Sequence, residues 1–230
     1  MRLSHPLLSE PIHWTEGKIP VLILEHPQVF RQMVFELSGQ AVDEEGEFIL
    51  SFAYETLDCG AHLHVLRDYY SLSLDDRKLQ NQFQKVLQFM IREELPEATA
   101  HLQQEIAHYL GLVSVHMDYP LSFTEGEYIL PLLKAVKCQP ALDGEGVLER
   151  LVQYMELYSG LMPQQCFALV NAHQYFSQEE LMELYQMANY RKWYLILLEQ
   201  TQKPALPCEE IYLIDQSLCE IRVDSDGKPL

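Results

Sequence analysis

The chain has 230 residues, 48% of them apolar, and a formal charge of −18 at pH 7. That is enough apolar material for one large domain or two small ones, and no apolar run reaches the roughly 20 residues of a membrane helix. Nor does an apolar signal core follow Met1-Arg2-Leu3-Ser4-His5-Pro6, so a cytoplasmic protein is expected, whose charge repels polyanions at long range unless its cations are locally segregated.

Pro20-Val21-Leu22-Ile23-Leu24 has the pattern of a buried strand. Glu25-His26 leads to Pro27, placed to open a helix carrying Phe30, Met33, Val34 and Leu37, and Gly39 is expected to stop it. An acidic turn, Asp43 to Glu47, precedes a strand over Phe48 to Phe52, and Leu63 to Leu66 predicts a third. From Asp75 the apolar period changes from two to 3.6. Asp75 or Asp76 caps a helix running to Leu95, Pro96 breaks it, and another helix runs from Glu97 to Leu110. Two more are predicted over Glu125 to Val136, with a kink at Pro131, and Gly146 to Tyr158.

The last third alternates strand and helix again. Phe167 to Asn171 predicts a strand, Ser177 to Glu180 a capping box opening a helix, Trp193 to Leu198 a strand, and Ile211 to Ile214 and Cys219 to Val223 two terminal strands. The fold class is therefore α/β: a discontinuous α/β domain of residues 1–70 and 160–230 with an all-helical insertion, 71–159.

Catalytic motifs are missing. The turn after the first strand has no glycine and no G-K-[ST], and Pro27 removes a backbone donor, so a phosphate cradle is not written there. Cys59, Cys138, Cys166, Cys208 and Cys219 never form a C-x-x-C pair and are expected as reduced packing thiols. His62 with His64, and His101 with His108, are spaced so that each pair shares a strand or helix face, yet no H-E-x-x-H accompanies them and packing is the simpler reading.

Two segments carry binding chemistry. Arg77 to Arg92 holds Arg77, Lys78, Lys85 and Arg92 without an acid; Lys78, Lys85 and Arg92 are spaced by sevens, beside an apolar stripe of Leu79, Phe83, Val86 and Met90. Such a face suits a DNA backbone, and it also suits an ordinary solvated helix. Lys134 and Lys137 add two cations at a predicted helix end, where they equally complement the helix dipole. Between them and the basic helix, Asp118, Glu125 and Glu127 offer oxygen ligands on a loop, which suits calcium; alternatively Thr124 caps a helix whose first turn the two glutamates complement.

Leu7-Leu8-Ser9-Glu10-Pro11-Ile12, then Gly17 to Glu25, Phe167 to Asn171, Phe176 to Leu181, Leu195 to Glu199 and Ile211 to Asp215, resemble in order and spacing the type II-A CRISPR adaptation ring proteins of the Csn family. The likeness is weakest in the helical middle. It implies a degenerate nucleotide-binding-like head, a helical leg and a homotetrameric ring that binds double-stranded DNA ends without enzymatic activity. It also implies structural calcium, and work alongside the CRISPR integrase pair and effector nuclease in spacer acquisition. The alternatives are a nucleotide-dependent ATPase-like enzyme and an acidic protein-binding scaffold of the acquisition complex.

Overall fold

The computed structural model describes residues 1–123, 128–162 and 166–223, with Arg222 and Val223 as backbone only. The chain divides into two units, Met1–Leu72 with Leu142–Leu230, and Ser73–Ala141. The first holds β1 (Arg2–Ser4), β2 (Ile12–His13), β3 (Ile19–Leu24), α1 (Pro27–Gln40), β4 (Ile49–Phe52), β5 (Glu55–Leu57), α2 (Cys59–His62) and β6 (Leu63–Leu66) before the insertion. The second holds α3 (Arg77–Glu93), α4 (Pro96–Val115) and α5 (Ile129–Ala135). The first then resumes with α6 (Val147–Leu161), β7 (Cys166–Val170), α7 (Ala172–Tyr175), α8 (Gln178–Arg191), β8 (Tyr194–Glu199), β9 (Glu209–Ile214) and β10 (Glu220–Val223).

Apolar runs such as those of β3, β7 and β8 cannot line a half-wet sheet, and with β9 these strands form the middle of a six-stranded sheet in the order β10-β9-β3-β8-β7-β6. All neighbours are parallel except β10 on β9. Val21 pairs with Leu197 and Leu22 with Tyr212, so the first strand of the sheet lies between two of the last. One face is covered by α1, whose Phe30, Met33, Val34 and Leu37 join Leu22, Leu24, Ile196 and Leu198 in the core. The opposite side chains, Val21, Ile23, Leu195 and Leu197, are equally buried.

A second, antiparallel sheet of order β2-β1-β4-β5 shares that core through Leu3, Ile12 and Leu50. Its strands β1, β2 and β5 have two or three residues each, too short to show an alternation, and sequence periodicity does not predict them. α1 runs through Gly39 to Gln40 rather than stopping at the glycine. There the glycine leaves room for the returning chain: a Cβ on Gly39 would stand 2.6 Å from Glu44 Oε2, and Glu44 N–H donates to the Gly39 carbonyl.

α6 lies in the first unit, so the second boundary falls at 141/142 instead of 159/160. Leu151, Tyr154, Met155 and Tyr158 of α6 are buried, Glu156 pairs with Arg191, and Trp193 Nε1–H donates to Ser159 Oγ (2.9 Å). In the helical unit Asp76 caps α3 by accepting from Leu79 N–H, and α4 opens with Pro96 at its first turn. α5 begins only at Ile129, so Pro131 falls in the first turn, where a missing N–H leaves no bond unmade and the expected kink does not arise. On α3, Leu79 and Leu87 are buried and Phe83 half-buried, whereas Val86 and Met90 are exposed; the apolar stripe is narrower than spacing alone suggests.

Candidate nucleic-acid interface

The carboxyl ends of parallel strands are where α/β sheets hold ligands, and the turn after β3 carries no phosphate cradle. β3 ends at Leu24, Glu25 N–H is taken by the Ile214 carbonyl, and His26 precedes Pro27 without capping the helix. No glycine relaxes this turn and its side chains add a carboxylate rather than cations.

Beside it lies a buried polar network that the sequence reading missed. His173 Nε2 is 2.8 Å from Glu209 Oε1, and Tyr185 Oη–H donates to the same oxygen at 2.7 Å. Leu206 N–H donates to Glu209 Oε2, while His173 N–H donates to Glu199 Oε1 at 3.0 Å. Both glutamates are 1% exposed. Burial pushes the Glu199 carboxyl up to about 7, against the opposing pull of the His173 backbone and ring. For His173 burial disfavours the charge, but the hydrogen bond and charge of Glu209 and the charge of Glu199 outweigh it and raise the imidazolium above its ordinary range. The network ties α7 and α8 to the last residue of β8 and the first residue of β9. Its only signal in the sequence is Glu199 closing the apolar run Leu195-Ile196-Leu197-Leu198.

Three of the five thiols are moved away from reactivity. Burial raises the Cys59, Cys166 and Cys208 thiols, away from the thiolate a nucleophile needs. His64 packs with ring centroids 4.0 Å from Tyr158 and 5.8 Å from Phe167. His62 ends α2 instead of sharing a strand face with it, and His101 and His108 are exposed on α4.

The predicted cations are all at the surface. Arg77, Lys78, Lys85 and Arg92 are exposed along α3, whose 17 residues contain a single acid, Glu93, in the last position. The exposed or half-buried amides Asn81, Gln82, Gln84 and Gln88 lie among them. Lys134 sits in the last turn of α5, and Lys137 follows with a positive φ of 53°. Asp118 is exposed beyond the end of α4, while Glu125, Glu127 and the alternative cap Thr124 lie outside the described residues. What α3 offers chemically is an elongated donor face whose one carboxylate, Glu93, stands at its end, fit for an extended anion.

Residues 40–218 match the family described as CRISPR-associated protein (Cas_Csn2). The chain belongs to this family. The match spans both units, so the spacer-acquisition family of type II-A CRISPR systems carries the helical insertion as well as the α/β unit. No curated protein sequence matches this Csn2 chain. Among its described residues no helix is long and apolar enough to cross a membrane.

Proposed function

We propose that this Csn2-family chain is a non-enzymatic, cytoplasmic protein that binds double-stranded DNA ends during CRISPR spacer acquisition, as a homotetrameric ring working with the integrase pair and the effector nuclease. The carrying observation is the exposed, acid-poor basic face of α3 in a chain of charge −18. In a ring, four copies of Arg77, Lys78, Lys85 and Arg92, joined by Lys134 and Lys137, superpose their fields on one axial polyanion while the acidic surface faces outward. Self-assembly is favoured by the exposed apolar residues of α4, among them Leu102, Tyr109, Leu112 and Val115, the last 81% exposed. Calcium held by Asp118, Glu125 and Glu127 stabilises the assembly and takes no part in chemistry.

The non-enzymatic reading is favoured by the glycine-free turn after β3 and by thiols raised rather than activated. Charge reversal tests the interface: Lys78→Glu, Lys85→Glu and Arg92→Glu together are expected to abolish the mobility shift of a linear duplex at moderate salt, with the oligomer and circular dichroism unchanged. Retained binding in the folded triple variant would remove α3 from the interface and leave the acidic scaffold reading in front.

A further inference from the structure

Away from the helical unit, the α/β unit brings together a second set of ligand-type side chains. His5 follows β1, Glu36 lies on α1, and Glu47 stands in the turn before β4. One ligand atom from each falls within 4.8 Å of the others. His5 Nε2 is 3.6 Å from Glu36 Oε1 and 4.0 Å from Glu47 Oε2. The His5 side chain is 2% exposed and Glu36 14%, while Glu47 is 65% exposed, so the group is closed on two sides and open on the third.

The imidazole is anchored and its outer nitrogen is left over. Its ring packs on Phe48 at 4.5 Å, and Leu7 N–H donates to Nδ1 at 3.2 Å. Nε2 is buried and has no hydrogen-bond partner. Orphaned buried polar atoms are rare enough to call for an explanation. Glu36 Oε1 is held by Glu47 N–H, and Gln40 pins the next residue by exchanging two hydrogen bonds with the Phe48 backbone. Two carboxylates are thus kept together around a buried nitrogen in a strongly acidic chain.

We propose that His5, Glu36 and Glu47 form a site for a first-row transition-metal dication such as Zn²⁺, with a fourth position open to solvent on the Glu47 side. A dication offsets the two facing carboxylates and gives Nε2 its missing partner. Bonds of roughly 2.0–2.2 Å place tetrahedral ligand atoms about 3.3–3.6 Å apart, so His5 and Glu36 are already at that spacing, whereas the exposed Glu47 must swing in from 4.0 Å on His5 and from within 4.8 Å on Glu36. The imidazole nitrogen selects against calcium, which takes oxygen ligands, and for zinc-like ions. Bound there, the ion staples the small sheet to α1. Because Nδ1 accepts from Leu7, the metal-free neutral ring carries its proton on Nε2; binding requires that proton on Nδ1, which breaks the Leu7 bond and sets two donors face to face, so the exposed Leu7 turn must give way for both to bond water. This tautomer change is a signature that adventitious binding to a surface carboxylate lacks.

The site is independent of the DNA reading, and its test uses the full chain, stripped with chelator and titrated with Zn²⁺ in excess Ca²⁺. Expected are one Zn²⁺ per chain, a raised thermal midpoint, and His5 ring ¹⁵N shifts that change from the Nε2–H to the Nδ1–H tautomer. Co²⁺ substitution is expected to give d–d bands without a thiolate-to-metal charge-transfer band. His5 is buried, so replacing it risks the fold; Glu47→Gln and Glu36→Gln are the decisive variants, each expected to weaken Zn²⁺ at least tenfold with the fold retained. Undiminished binding in Glu47→Gln, a thiolate band from the five cysteines, or absence of Zn²⁺ binding would each overturn the proposal.

Discussion

The two units treat their apolar residues differently. In the α/β unit every residue of β3 and β7 is buried, and five of the six in β8 are. In the helical unit α4 buries none of its 20 residues, and α3 buries two of its 17. A strand run of Val, Ile and Leu carries its own instruction to be covered on both faces, and the chain supplies that cover. A long helix that leaves Leu102, Tyr109, Leu112 and Val115 in solvent, beside a helix that displays cations, presents an apolar face that the proposed self-assembly would cover.

The largest test of that contrast is a matched truncation. Leu197→Ala, in the middle of the six-stranded sheet, is expected to cost about 2–5 kcal/mol in urea unfolding, whereas Leu112→Ala on α4 is expected to stay within about 0.5 kcal/mol in the monomer. Equal costs would mean that α4 is covered within one chain. The same α4 change is expected to weaken self-association, read by light scattering, which Leu197→Ala should not do.

Next in size is the pH response of the buried network. Glu199 titrates near 7 in the fold, above its ordinary carboxylate value, so its contribution to stability is fully present below about pH 4.5 and is lost as pH rises through 7. The raised His173 acts in the same direction, its contribution fading as pH climbs past 6.5. Stability of the α/β unit is therefore expected to fall by about 2 kcal/mol from pH 5 to pH 7, and Glu199→Gln is expected to flatten that slope. A wild-type profile that is flat or rises over this range would contradict the geometry of the cluster.

The smallest effect is at a helix start. Asp76 accepts from Leu79 N–H at the head of α3, so Asp76→Ala is expected to cost about 1 kcal/mol and to fray the first turn, which carries Arg77 and Lys78. DNA affinity should fall modestly and in step with helix content, separating the loss of a positioned cation from the loss of the charge itself.

What could be read from the sequence follows from how local each signal is. β3, β6 to β9 and α8 were legible because a continuous apolar run or a capping box needs only neighbours in sequence, and Ser177 and Glu180 do form both bonds of the box. Of the small sheet only β4 was, since β1, β2 and β5 take their identity from pairing partners such as Arg2 with Ser51 and Leu50 with Leu57. For the same reason the buried network stayed hidden: His173, Tyr185, Glu199 and Glu209 come from four separate elements and are defined only by meeting. The basic face of α3 was visible in advance because helical spacing alone places Lys78, Lys85 and Arg92 together. Lys134, Lys137 and Asp118 are as exposed as any surface residue, and neither spacing nor burial distinguishes them from one.

The central claim, a ring that takes up DNA through its ends, is tested most directly by a mobility shift comparing a linear duplex with a covalently closed circle of the same sequence, at two salt concentrations and with calcium or chelator. Binding to the linear form alone, weakened by added salt and by chelator, is the predicted result. Equal binding of the closed circle would contradict threading, and binding of neither form would contradict the DNA role altogether.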